Sequence, residues 1–188
     1  MVIVGTKVAD LGGQLRAGRV PCPGCGASLR PWGYARRRVV RASGTGSQGS
    51  WQPRRGRCNA CSATHVLLPA QLLPRRRDEA RVVGRALLAH AAGVGHRRIA
   101  ARLGLPASTV RGWLRSARAN AERLRVLGTV TYYRFEPTAG PIAPAGTALA
   151  DAVEALARAA RAVSLRSGPG TAPWATVNSL TAGRLLRS

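Results

Sequence analysis

Pro21-Cys22-Pro23-Gly24-Cys25-Gly26 and Cys58-Asn59-Ala60-Cys61 decide how this chain is read. They are two Cys-x-x-Cys pairs that flank the stretch 26–57, and they hold all 4 cysteines of the 188 residues. Two such pairs can set four thiolates around one tetrahedral zinc ion. No cysteine is left over for a lone nucleophile. Nothing in the sequence directs the chain to an oxidising compartment, so a metal site is favoured over disulfides. The expected ligands are Cys22, Cys25, Cys58 and Cys61, holding one structural Zn2+. Four cysteines close the coordination sphere, whereas a catalytic zinc keeps a position open. His65, four residues past Cys61, is therefore read as a bystander.

Working outward, Pro21–Gly26 has the make-up of a tight knuckle, where Gly26 permits a positive φ. Between the pairs, Leu29–Arg41 and Trp51–Arg57 read as strands, with Trp32, Tyr34, Val39 and Val40 as β-formers. The Gly/Ser-rich run 42–50 reads as the tip joining them. The plan is a zinc ribbon over 21–70, a β-hairpin pinned by metal. It carries Arg36, Arg37, Arg38, Arg41, Arg54, Arg55 and Arg57, of which Arg36, Arg37, Arg38 and Arg55 are the leading candidates for gripping phosphates.

Charge points the same way. The net charge is +23, from 30 basic and 7 acidic residues. Residues 1–128 hold 24 of the basic groups and 4 of the acidic ones. A polyanionic partner is the expected consequence, and its binding is expected in the first two thirds of the chain. No segment has the apolar length of a membrane span. The start, with Lys7 and Asp10 soon after Met1, does not read as a signal peptide. Residues 1–20 read as a flexible leader, and the expected location is cytoplasmic and nucleoid-associated.

After a Pro-punctuated connector, Leu67–Pro74, the apolar period becomes helical. Helices are predicted over Arg75–Ala92, His96–Leu103 and from Ser108 onward, within a domain spanning 74–127. Ile99 and Ala100 face inward, Gly104 turns the chain, Leu105 plugs the turn, and Val110 and Trp113 pack the next helix back. That succession resembles the bacterial helix-turn-helix. With Val110, Trp113, Leu114 and Ala117 inward, the opposite face of helix 107–125 shows Ser108, Arg111, Arg115 and Arg118. This row would lie along a major groove of duplex DNA. Thr109 is placed for a base or a phosphate, and Arg98 and Arg102 on the preceding helix for phosphates. Gly112 costs about 1 kcal/mol of helix propensity. A bare backbone close to DNA and simple drift explain it equally well.

The tail, 128–188, reads as helical. Thr129–Gly146 is mixed and Pro-interrupted. Thr147–Ser164 carries an apolar stripe of Leu149, Ala152, Val153, Leu156, Ala160 and Val163. Trp174–Leu186 reads as a last short helix. The stripe needs cover, either from the chain's own core or from a second copy in a homodimer. The fold class expected is thus α+β, a small β-hairpin zinc ribbon followed by an all-α helix-turn-helix domain and a helical tail.

The order of these modules, from Pro21 to about Arg125, resembles the N-terminal DNA-binding region of insertion-sequence transposases. It also resembles the small actinobacterial helix-turn-helix proteins related to them. The resemblance implies binding of duplex DNA, in mobile-element or transcriptional roles, and it does not extend to strand transfer. That chemistry needs three carboxylates holding two metals. Only Asp10, Asp78, Glu79, Glu122, Glu136, Asp151 and Glu154 are present. No enzyme and no small-molecule substrate are expected. An RNA- or ribosome-associated zinc ribbon and a protein-interaction scaffold are the alternative readings.

Overall fold

The computed structural model describes residues 2–5, 10–41, 48–167 and 172–186. It is a mixed α+β chain in which a small sheet precedes a group of helices. Strands β1 (Val2–Val4), β2 (Leu29–Tyr34), β5 (Arg54–Cys58) and β6 (Thr64–Pro69) form one sheet in the order β1-β6-β5-β2. β1 runs parallel to β6, and the other pairs are antiparallel. β3 (Arg38–Arg41) and β4 (Gln48–Trp51) form a second, two-stranded ribbon. The Ala35 N–H donates to the Pro53 carbonyl at 2.8 Å, so the two ribbons are successive parts of one long hairpin. The expected tip is shorter than 42–50, because 48–50 belong to β4; residues 42–47 lie outside the described residues.

The described parts of the leader, 2–5 and 10–20, are folded. Helix α1 (Leu11–Arg16) buries Leu11 and Leu15, and β1 is hydrogen-bonded along β6. A Cβ placed on Gly56 would lie 3.3 Å from Leu15 Cδ2, so α1 covers that face of the sheet. Val4, Leu11, Leu15, Val20, Leu29 and Leu67, with Cys22 and Cys58, make a small separate core. The apolar positions 2–4, 11 and 15 are too few to show a period in the sequence. They find cover because the sheet lies beside them.

Helices α2 (Ala80–Ala91), α3 (His96–Leu103), α4 (Ala107–Ala119), α5 (Ala121–Phe135), α6 (Ala148–Ser167) and α7 (Pro173–Leu180) share the larger core. Helix boundaries differ from expectation, and the last helix ends at Leu180 instead of Leu186. α2 starts at Ala80 instead of Arg75, since residues 71–79 are spent on turns and bridges. Examples are the isolated pairings Leu72↔Glu79 and Arg41↔Asp78. The Pro-punctuated connector packs inward, with Leu67, Leu68, Ala70, Leu72 and Leu73 all buried. The helix expected over 107–125 is two helices, broken at Asn120, whose φ of −112° and ψ of 2° leave the helical region. Finally, α5 continues to Phe135, so the domain limit placed at 127/128 falls inside a helix.

α5 and α6 lie side by side. A Cβ on Gly128 would stand 2.6 Å from the Ala155 carbonyl carbon, a crossing only glycine allows. Tyr132 faces Arg158, and Arg166 Nη2 donates to the Phe135 carbonyl at 2.8 Å. Contacts advance along both helices together, so the two run parallel and residues 136–147 carry the chain back. The stripe Leu149, Ala152, Val153, Leu156 and Ala160 is buried in the larger core, within the chain itself. On α7, Asn178 is fully buried and its Nδ2 donates to the carbonyls of Ala70 (2.8 Å) and Leu72 (3.1 Å), locking the tail onto the connector.

Candidate metal centre and basic surfaces

The two knuckles form by the same local device. The Gly26 N–H donates to the Cys22 carbonyl at 2.9 Å and the Cys22 N–H to the Ala27 carbonyl at 2.7 Å. The Cys58 N–H donates to the Ala63 carbonyl at 2.9 Å. In each knuckle the residue after the second cysteine turns the chain through positive φ: +76° at Gly26 and +59° at Ser62. The second knuckle thus holds a side-chain-bearing residue where the first holds glycine.

These turns bring the sulfurs of Cys22, Cys25, Cys58 and Cys61 within 4.8 Å of one another. Cys22 and Cys61 Sγ are 3.7 Å apart, and Cys25 and Cys58 Sγ 3.4 Å apart. A zinc–sulfur bond of about 2.3 Å gives a tetrahedron with edges of about 3.8 Å, so the cluster has the size one such ion requires. All four cysteines are free of disulfides. Cys22 and Cys58 are buried, while Cys25 and Cys61 face solvent.

The electrostatics call for a cation. The backbone N–H of Cys61, and then that of Ala60, donate to Cys58 Sγ at 3.4 Å and draw its pKa down to about 6. At Cys61 the Ala63 amide favours the thiolate, but it is outweighed by Cys58, Cys25, burial and Cys22, which push the pKa up to about 11. Four crowded thiols cannot all ionise against their mutual repulsion. A divalent ion removes that obstacle, because coordination deprotonates a thiol outright.

His65 does not stand apart. It sits on β6 with Nε2 3.5 Å from Cys22 Sγ, and burial lowers its pKa. It touches a ligand sulfur from outside the four-cysteine set, in the position from which an N–H steadies a thiolate.

On α4, the residues read as inward are inward: Val110, Trp113, Leu114 and Ala117 are buried. Ser108, Arg111, Arg115 and Arg118 are exposed, as are Arg98 and Arg102 on α3, and Thr109 is half-buried. The chain turns between the helices at Gly104, with φ of +63°, where the Leu105 N–H reaches the Ala100 carbonyl at 3.0 Å. The start of α4 differs from expectation. Pro106 is the cap, no side chain caps the helix, and the Pro106 carbonyl accepts from Thr109 N–H at 3.0 Å. Arg118 is tethered: its Nη2 donates to His90 Nε2 at 2.6 Å, while His90 Nδ1 lies 3.1 Å from the Val94 carbonyl.

The ribbon arginines divide. Arg36 and Arg37 are exposed. Arg38 is half-buried, donates to the Leu73 carbonyl at 3.2 Å, and has its pKa lowered by burial, so it works as an internal strut instead of a free phosphate grip. Arg41 is held by buried Asp78, with Nη2 to Oδ2 at 3.1 Å. Arg55 is half-buried. Trp32 and Tyr34 lie in β2, as their reading as strand formers expects, and they are 49% and 52% exposed. Arg57 stacks over the Trp32 ring at 4.6 Å and Arg54 over Tyr34 at 5.0 Å. Two aromatics at i, i+2 facing an Arg-rich partner strand were the available signal.

The family model described as Domain of unknown function (DUF6431) matches residues 22–113. The matched span begins at the first cysteine and ends at Trp113 within α4. No curated protein and no solved structure matches the chain. Among the described residues, no helix is long and apolar enough to cross a membrane.

Proposed function

We propose that this chain is a duplex DNA-binding protein held together by one structural zinc ion, a zinc ribbon followed by a helix-turn-helix. The observation that carries the reading is α4, whose outward row of Ser108, Arg111, Arg115 and Arg118 stands opposite a fully buried inward row. Arg side chains on such a face can address guanine edges bidentately or hold phosphate. Arg98, Arg102, Arg36 and Arg37 supply sequence-independent phosphate contacts. Zinc held by the four thiolates cross-links the knuckles and neutralises their charge.

A non-catalytic role is supported by the carboxylates, several of which are already committed. Asp78 pairs with Arg41 (3.0 Å), Glu122 with Arg125 (2.7 Å) and Glu154 with Arg158 (2.7 Å). The reading places the chain with transposase-derived or regulator-like DNA-binding proteins, carrying a recognition part without strand-transfer chemistry. The test is selection of bound sequences from a random duplex pool, with and without a chelator. An enriched motif that disappears on chelation supports both modules. Retention without enrichment reduces α4 to a charged surface, and preference for structured RNA favours the ribosome-associated reading.

A further inference from the structure

At its β2–β5 end the sheet has one face covered by α1 and one face that carries exposed side chains. Gly56 and Leu29 turn toward α1, as the approach of Leu15 to Gly56 shows. By strand alternation, the residues that flank Gly56, Arg55 and Arg57, turn to the other side. Arg30 pairs with Arg57 across β2 and β5, and Trp32 follows two residues after Arg30. Thr64 pairs with Arg57 and Val66 with Arg55, extending the same face onto β6. No Asp or Glu occurs anywhere from Leu11 to Arg77, so no acid in that stretch opposes these charges. Arg57 lies over the indole of Trp32 and fixes its plane, yet half of the Trp32 surface stays in water.

An exposed indole framed by arginines at this end of the sheet combines a flat π surface with a positive track. Those are the two elements by which unpaired nucleotides are held, bases on aromatic rings and phosphates on Arg. Duplex DNA hides its base faces and cannot use the ring. We propose that this face is a second nucleic-acid site that takes unpaired DNA, with a base stacked on Trp32 and the adjoining phosphates on Arg55 and Arg57. It extends the DNA-binding reading but does not depend on α4.

The test uses the full-length zinc-loaded chain and oligo(dT) of about 15 nucleotides. The expected result is quenching of tryptophan emission on binding. Trp32→Leu should weaken oligo(dT) binding about tenfold while changing duplex affinity less than about twofold. Trp32→Phe keeps a ring and should retain most of the affinity while losing most of the quench. This variant decides the matter even if the Leu variant loses its metal. Equal oligo(dT) affinity in the wild type and Trp32→Leu, a quench that survives in Trp32→Phe, or parallel losses on duplex and single strand would each overturn the inference. Tighter binding of oligo(rU) than oligo(dT) would overturn its assignment to DNA. Duplex binding without any oligo(dT) binding removes this inference alone, whereas failure on both forms removes the DNA reading as well.

Discussion

At the scale of single residues, Ser62 is the most informative departure from pattern. Its φ of +59° places a Cβ in the left-handed region, where glycine meets no penalty. Ser62→Gly is expected to stabilise the zinc-bound protein by about 0.5–1 kcal/mol, read as a rise in thermal midpoint at fixed free zinc. A fall would mean that the Ser62 side chain makes a contact worth more than the strain. Arg111 and Arg98 make a second pair. If α4 reads bases, Arg111→Ala should cost about 1–3 kcal/mol on the preferred duplex and relax preference at one base pair. Arg98→Ala should weaken all duplexes alike and flatten the salt dependence by about one unit of slope. Identical profiles for the two variants in salt-titrated binding would leave only non-specific attraction.

Among the elements, two glycines in helices behave oppositely, and their neighbours explain why. Gly128 lies where α5 crosses the backbone of α6, so an added methyl must push the helices apart. Gly128→Ala is expected to destabilise by about 2 kcal/mol despite its better helix propensity. Gly112 on α4 has open space around it. Gly112→Ala should stabilise by about 1 kcal/mol, and a simultaneous loss of duplex affinity would show that the bare backbone approaches DNA. Thermal melts of the two variants side by side check both signs. How much of each element was legible depended on the kind of signal it carries. α3 was readable residue for residue, because Gly95, Gly104 and an inward Ile99-Ala100 pair mark it locally. The end of α4 was not. Ala119, Asn120 and Ala121 carry no strong breaker, and the bend there coincides with Asn120 Nδ2 donating to the Arg184 carbonyl at 3.0 Å, a partner distant in sequence.

Across the whole molecule, the two cores differ in what sustains them. The helical core is large and mostly apolar, whereas the small one includes Cys22 and Cys58 among its few members. Structural zinc in small domains contributes about 10–16 kcal/mol, more than such a core supplies alone. Chelation, or Cys22→Ser, is therefore expected to unfold the sheet and α1 while α2–α7 keep their helical circular dichroism. Amide spectra should then lose dispersion for the residues of the sheet and α1 only. Loss of helical signal in parallel would show that Asn178, Arg38 and the Arg41–Asp78 pair couple the two parts into one cooperative unit.

The four clustered cysteines, the strand pair between them, the basic character and the inward face of α4 were set by sequence alone. Each rests on spacing or period, which a linear string displays. The tertiary structure decided the rest. It folded two stretches of the leader as β1 and α1, buried the connector, turned Arg38 and Arg41 inward, and set His65 against Cys22 Sγ. It also covered the α6 stripe with the chain's own core and left Trp32 in water. Those outcomes depend on which surfaces meet in space, and short apolar stretches and single side chains carry no local mark of that.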